Sequence, residues 1–139
     1  VSPPAVDPPS GVDALLAEAR RGLRRYSARE AYAALARGAL LVDTRTPEQR
    51  REQGELPGAV VIDRTVLEWR LDPASGVAIA EAGPDVEVIV ICRQGYSSSL
   101  AARSLRDLGL HRTTDVVGGV EAWLAAGLPV DDGPADVRR

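Results

Sequence analysis

The only cysteine of the chain, Cys92, stands where a thiol can do chemistry. It follows the apolar run Val86-Glu87-Val88-Ile89-Val90-Ile91 and opens the polar segment Cys92-Arg93-Gln94-Gly95-Tyr96-Ser97. A helical pattern begins next, with Ser98-Ser99-Leu100-Ala101-Ala102-Arg103. An apolar run ending in a polar, glycine-containing loop reads as a buried parallel strand whose C-terminal end opens to solvent. The helix is expected to start at or near Ser98, with Leu100, Ala101, Leu105 and Leu108 on one face and Gly109 as its stop. The sulfur then lies at a helix N-terminus, where unpaired N–H groups and the positive dipole end favour an anion. A free thiol with a pKa of about 8.5 is only about 3% thiolate at neutral pH, and helix N-termini or cationic neighbours lower the value to roughly 3.5–7.5. Position, loop length and the adjacent Arg93 point to a reactive thiol; the alternative is an inert, buried structural cysteine.

Such a loop needs a sheet and helices to hold it. Residues 1–10 carry four prolines and read as a disordered lead-in, 11–130 as a single domain, and 131–139 as a polar tail. Val12, Leu15, Leu16 and Ala19 recur at helical spacing, an amphipathic helix over 12–21 that packs on the domain or on a partner. Residues 23–26 read as a short first strand. Ser27-Ala28-Arg29-Glu30 is a capping box that starts a helix through Arg37, closed by Gly38. The next strand is 39–43, followed by Thr46 as N-cap with Pro47 at N1 and Gln49 at N3. A third strand spans 59–62, Asp63 caps a helix through Leu71, and 72–85 form a loop with one helical turn around 77–82. The last strand is 114–117 and the last helix 119–126. Strands alternating with helices demand parallel crossovers, hence an α/β sheet covered on both faces. Ligands bind such sheets beyond the strands' C-terminal ends, where Cys92, Asp43-Thr44-Arg45 and Asp63-Arg64 are expected to gather.

Composition narrows the chemistry. With 139 residues and 45% hydrophobic content, the chain can bury one sizeable core. A net charge of −3 argues against nucleic acid, which needs a concentrated basic surface. All 17 basic residues are arginine, so no lysine is present for Schiff-base chemistry. One cysteine excludes an intrachain disulfide and a CxxC pair, and one histidine excludes a His-based metal cluster. Neither a metal nor a cofactor is implied. No apolar run approaches the ~20 residues that span a bilayer, and no basic segment precedes an apolar core at the N-terminus. The expectation is a cytoplasmic protein without a membrane partner.

Four motifs in order carry a family resemblance over roughly residues 23–128. Cys92-Arg93-Gln94-Gly95 resembles the C-R-x-G start of the active-site loop of rhodanese-like sulfurtransferases. Leu41-Val42-Asp43-Thr44-Arg45-Thr46-Pro47-Glu48 is similar to the family's hydrophobic-D-x-R-x-x-x-E segment, and Gly54-Glu55-Leu56-Pro57-Gly58-Ala59 to its G-H-I-P-G-A turn. Gly118-Gly119-Val120-Glu121-Ala122-Trp123 resembles its closing G-G-x-x-x-W. The resemblance implies a three-layer α/β/α fold with a five-stranded parallel sheet. It implies a sulfurtransferase in which the Cys92 thiolate takes the outer sulfur of thiosulfate or a related donor as a persulfide, then passes it to cyanide or a thiol. Cys92 is then the nucleophile and persulfide carrier, and Arg93 attracts the anionic donor. Arg93, Gln94, Gly95, Tyr96, Ser97 and Ser98 form the substrate cradle with their main-chain N–H groups, Gly95 supplying the unusual backbone angle. The partners are small molecules, and a homodimer is possible.

Two departures from the family pattern stand out. Ser97 occupies the loop's sixth position, often arginine or threonine in relatives, which weakens the grip on a doubly charged donor. Glu55 stands where histidine is usual, a change that bears on packing or ion pairing near Arg45 rather than on the chemistry. Asp43 and Arg45 read as a structural ion pair near the site. Tyr96 lines the pocket mouth or is an exposed loop aromatic, Ser98 is an N-cap or a sulfur-facing donor, and Trp123 belongs to the core or flanks the cleft. His111 reads as a surface residue, which leaves a Cys–His hydrolase without its base. A cysteine phosphatase needs an arginine six residues after the cysteine, and Ser98 is there instead. The serious rival is a non-enzymatic rhodanese-like module that binds a partner or senses redox or persulfide state.

Overall fold

Leu41, Ile89 and Ile91 alternate along their strands with Val42, Val88 and Val90, and this period of two sends the two sets to opposite faces of one sheet. The computed structural model describes residues 8–139. In chain order the elements are α1 (Gly11–Arg20), α2 (Ala28–Ala36), β1 (Leu40–Asp43), α3 (Pro47–Gln53), β2 (Val60–Val61), a 3-10 turn (Arg64–Val66) and α4 (Leu67–Leu71). Then follow β3 (Val88–Ile91), α5 (Ser97–Asp107), β4 (Thr113–Asp115), α6 (Gly119–Ala125) and β5 (Asp136–Val137). Neighbours pair in the order β4-β3-β1-β2-β5, all parallel, with Val42 opposite Val60 on one side and Val90 on the other.

Helices cover both faces. On one, Ala28, Ala31 and Ala34 of α2 and Val120 and Trp123 of α6 pack on Leu41, Ile89 and Ile91; the small alanines let α2 close on the sheet. On the other, Leu67 and Leu71 of α4 and Ala101 and Leu105 of α5 pack on Val42, Val88 and Val90. Each fully buried Leu, Ile or Val contributes about 1.5–3 kcal/mol, so these two clusters carry the fold. Trp123 is part of the core: it is fully buried, its Nε1 donates to the Pro129 carbonyl at 2.9 Å, and Tyr32 meets it edge-on at 5.6 Å.

Local start signals act as the sequence predicts. Ser27 and Glu30 satisfy each other's backbone N–H groups at the head of α2, and Thr46 and Gln49 do the same for α3. The helix expected after Asp63 is split, because Asp63 accepts from the Thr65 N–H at 2.8 Å and holds a 3-10 turn before α4 begins. At 77–82 the chain makes one hydrogen-bonded turn, the Ala82 N–H donating to the Ile79 carbonyl at 3.1 Å, without forming a helix.

Five parallel strands between two helical layers match the expected architecture, but the membership of the sheet differs. Residues 23–26 contribute a single bridge, Tyr26 to Val116, because the chain passes at once into the Ser27 cap. The fifth strand is β5, inside the segment that reads as a polar tail. Its backbone pairs Val60 with Asp136, the Arg138 N–H donates to the Val61 carbonyl at 2.8 Å, and the Arg138 guanidinium grips Glu81 and Asp136 at 2.6 and 2.7 Å. Of the expected lead-in, residues 1–7 lie outside the described residues, and 8–10 are exposed and irregular.

Helix α1 lies on α5. Ala19 is buried there, Leu16 half-buried, and Arg103 of α5 donates to the carbonyls of Ala19, at 3.0 Å, and Arg21. Val12 and Leu15, on the same apolar stripe, stay exposed. Among the described residues, no helix is long and apolar enough to cross a membrane.

Candidate active site

Cys92 is the first residue past β3, at the C-terminal end of the sheet. It is 5% exposed and opens on a pocket of about 290 Å³ lined also by Thr44, Gln49, Arg93, Gln94, Tyr96 and Ser97. The Gly95 N–H donates to its sulfur at 3.2 Å. Cys92 to Tyr96 form the loop, and Ser97 is already the first residue of α5.

Four of the five carbonyls of this loop are taken by residues outside it. Val120 and Glu121, in the first turn of α6, donate to the carbonyls of Cys92 and Arg93 at 2.9 and 3.0 Å. Arg20 and Arg25 donate to the Gly95 carbonyl, and the Ser99 N–H donates to that of Tyr96 at 3.1 Å. A trans peptide is planar, so its N–H points opposite to its carbonyl. Carbonyls drawn outward therefore leave the N–H groups of Arg93, Gln94, Tyr96 and Ser97 facing the other way. Successive N–H groups on one side of a turn make a concavity for an anion.

Two glycine positions let this loop close. Gly95 has φ +87°, and a Cβ on it would lie 2.7 Å from the Gly118 nitrogen. Gly119 has φ +57°, and a Cβ there would lie 2.4 Å from the Cys92 carbonyl oxygen. The Gly118-Gly119 pair thus brings the head of α6 against the cysteine loop.

Other residues singled out from sequence are placed as follows. Arg93 is exposed at the pocket, and Tyr96 both lines the pocket and is 57% exposed. Ser98 is neither cap nor pocket lining: its buried hydroxyl donates to Asp115 of β4 at 2.8 Å, and Tyr96 holds the N-cap position with no side-chain bond. A buried carboxylate beneath the first turn offers a charge-assisted acceptor that a cap cannot match. Asp43 and Arg45 form a buried ion pair at 2.7 Å, and Arg45 also donates to the Gly54 carbonyl at 2.9 Å, tying β1 to the end of α3. Glu55 pairs with Arg50 at 2.9 Å, not with Arg45, because Asp43 already occupies that guanidinium. Arg64 pairs with Glu68 at 2.8 Å and does not line the pocket. His111 sits in the turn between α5 and β4, at the opposite end of the sheet from Cys92.

A model of the rhodanese-like domain matches residues 27–126. The chain belongs to the rhodanese-like domain family. This rhodanese-like domain is 33% identical over 91 residues to a sulfurtransferase of Allochromatium vinosum, covering 66% of this chain and 77% of that protein. It is 33% identical over 84 residues to the adenylyltransferase and sulfurtransferase MOCS3-2 of Zea mays, covering 60% of this chain but 17% of that protein. The chain thus spans a small part of the length of such relatives. Among solved structures, it is similar to RPA3614 of Rhodopseudomonas palustris, described as a protein of unknown function and possible tyrosine phosphatase. The TM-score is 0.79 at 30% identity, covering 94% of this chain and 100% of that one.

Sequence reasoning on this rhodanese-like domain missed a polar group behind the loop. Asp115 is fully buried; it accepts from the hydroxyls of Ser98 and Ser99, each at 2.8 Å, and from the Arg25 fork at 2.8 and 3.1 Å. One signal was present, an acidic residue inside the otherwise neutral stretch Thr113-Thr114-Asp115-Val116-Val117. Gln49, on the pocket wall, carried none beyond its role at N3. Among the described residues, no group of three His, Cys, Asp or Glu side chains is gathered to hold a metal ion.

Proposed function

We propose that this domain transfers sulfane sulfur through a persulfide on Cys92. One observation carries the reading: a sulfur that receives an N–H at 3.2 Å, in a loop whose carbonyls at 92, 93, 95 and 96 are all engaged outward, beside an open pocket. The Cys92 thiolate attacks the outer sulfur of thiosulfate or a related donor. A new S–S bond forms, the donor's S–S bond breaks, and sulfite leaves with the electron pair. Cyanide or an acceptor thiolate then attacks the terminal sulfur, and the Cys92 thiolate is released. The N–H groups stabilise both sulfur anions, and Arg93, exposed at the rim, draws in the anionic donor. The sulfurtransferase name of the Allochromatium relative supports the same reaction class.

Intact mass after incubation with thiosulfate tests this. A gain of one sulfur atom, about 32 Da, that disappears on thiol treatment and is absent in Cys92→Ser is the expected result. No gain with thiosulfate or polysulfide would instead favour a non-enzymatic binding module. Phosphatase activity is not expected, because Ser98 stands where an arginine must grip the phosphate and is turned to Asp115.

A further inference from the structure

The Gly95 carbonyl is held differently from its neighbours. Backbone N–H groups take the carbonyls of Cys92, Arg93 and Tyr96, but that of Gly95 is taken by two guanidinium groups from far earlier in the chain. Arg20, the last residue of α1, reaches it with Nη2 at 2.9 Å, and Arg25 with Nη2 at 3.1 Å. Both side chains are anchored. The Arg20 Nε donates to the Ser99 Oγ at 2.9 Å, and Arg25 lies fork-on against the buried Asp115.

Two consequences follow for the sulfur. Fixing the Gly95 carbonyl on the arginine side fixes the Tyr96 N–H on the opposite side, since both belong to one planar peptide. Glycine permits either orientation of that plane, and a flip would present a carbonyl oxygen where an anion needs a donor. Charge adds to this. Asp115 offsets Arg25, whereas among the described residues no carboxylate makes an ion pair with Arg20. The group therefore leaves one positive charge beside the loop, partly screened from water.

We propose that Arg20 and Arg25 are positioning residues for sulfur transfer, holding the 95–96 peptide with its N–H available to the persulfide, so that helix α1 is part of the transfer apparatus. The inference rests on the transferase reading of Cys92. Arg20 decides it, because its loss leaves no buried carboxylate unpaired.

The test uses the full chain with Arg20→Ala, Arg20→Gln and Arg20→Lys. Each is measured for Tm, for thiosulfate turnover and for the rate of Cys92 alkylation by iodoacetamide at neutral pH. Arg20→Ala is expected to lose about tenfold in kcat with KM for thiosulfate changed less than about twofold, and to alkylate several-fold more slowly. Arg20→Lys, which restores the charge and a donor, recovers most of both losses, and Arg20→Gln recovers less. A merely structural role would lower Tm and leave both rates of the folded protein unchanged, and that result overturns the proposal. If Arg20→Ala does not fold, wild-type rates in both Arg20→Lys and Arg20→Gln overturn it. If the wild-type protein loads no sulfur from any donor, the transferase reading fails on its own, and equal alkylation rates with and without Arg20 still decide against the clamp.

Discussion

Gly95 concentrates the demands of the loop in one residue. Its N–H meets the Cys92 sulfur, its carbonyl meets two arginines, and its φ of +87° lies where an L side chain is strained. Gly95→Ala adds a Cβ 2.7 Å from one backbone nitrogen and 3.1 Å from the Val116 carbonyl oxygen, neither of which can move aside cheaply. The variant is expected to lose about 1–3 kcal/mol of stability by urea denaturation and most of its sulfur loading by intact mass. Wild-type loading in a stable Gly95→Ala would show that this N–H is dispensable. Under the proposed transfer, Ser97 at the head of α5 offers thiosulfate no guanidinium for its second charge, so the grip on that donor is expected to depend on Arg93. Arg93→Ala should raise KM for thiosulfate while leaving Cys92 alkylation near the wild-type rate; an unchanged KM would remove Arg93 from donor capture.

Helix α5 is fastened to strand β4 through its first turn. Ser98 and Ser99 donate to Asp115, and Arg25 brings the preceding segment to the same carboxylate. Removing one partner of a buried, hydrogen-bonded ion pair costs more than the pair is worth, because the remaining charge stays buried and unpaired. Asp115→Ala is therefore expected to destabilise the domain by about 3 kcal/mol in urea, more than loss of an exposed ion pair such as Arg21–Glu18. A cost near zero would mean that Arg25 escapes to solvent. At the head of α2, Ser27→Ala removes one half of a reciprocal cap and should cost about 1 kcal/mol by the same measurement.

The sheet as a whole ends on β5, two exposed residues held by backbone bonds to β2 and by Arg138. Side-chain hydrogen bonds from Arg138 lower the pKa values of Glu81 and Asp136 below the ordinary carboxylate range. Groups with depressed folded values stabilise the docked state above their unfolded pKa, and that contribution is lost as pH falls through the folded values. The terminal strand should stay docked at neutral pH and release in acid, below about pH 4, before the core unfolds. Backbone amide NMR signals of Asp136, Val137 and Arg138 followed on acidification check this, and Arg138→Ala should show the released signals already at neutral pH. Signals that hold to the pH of global unfolding would refute it.

Much of this molecule is written in short-range spacing. The capping boxes at Ser27 and Thr46, the apolar run into Cys92 and the glycine pair before Trp123 each act within a few residues, and so each is readable from the chain alone. Alternating strands and helices then suffice for a parallel sheet with the cysteine at its open end, because chain connectivity permits little else. Tertiary structure alone decided what stands behind that cysteine. Arg20 and Arg25 reach Gly95 across 75 and 70 residues, Ser98 turns from cap to Asp115, and a polar tail becomes a strand. Those contacts are single side chains and backbone pairs with no period to betray them; they exist because the packed sheet and α5 bring distant segments within hydrogen-bond reach.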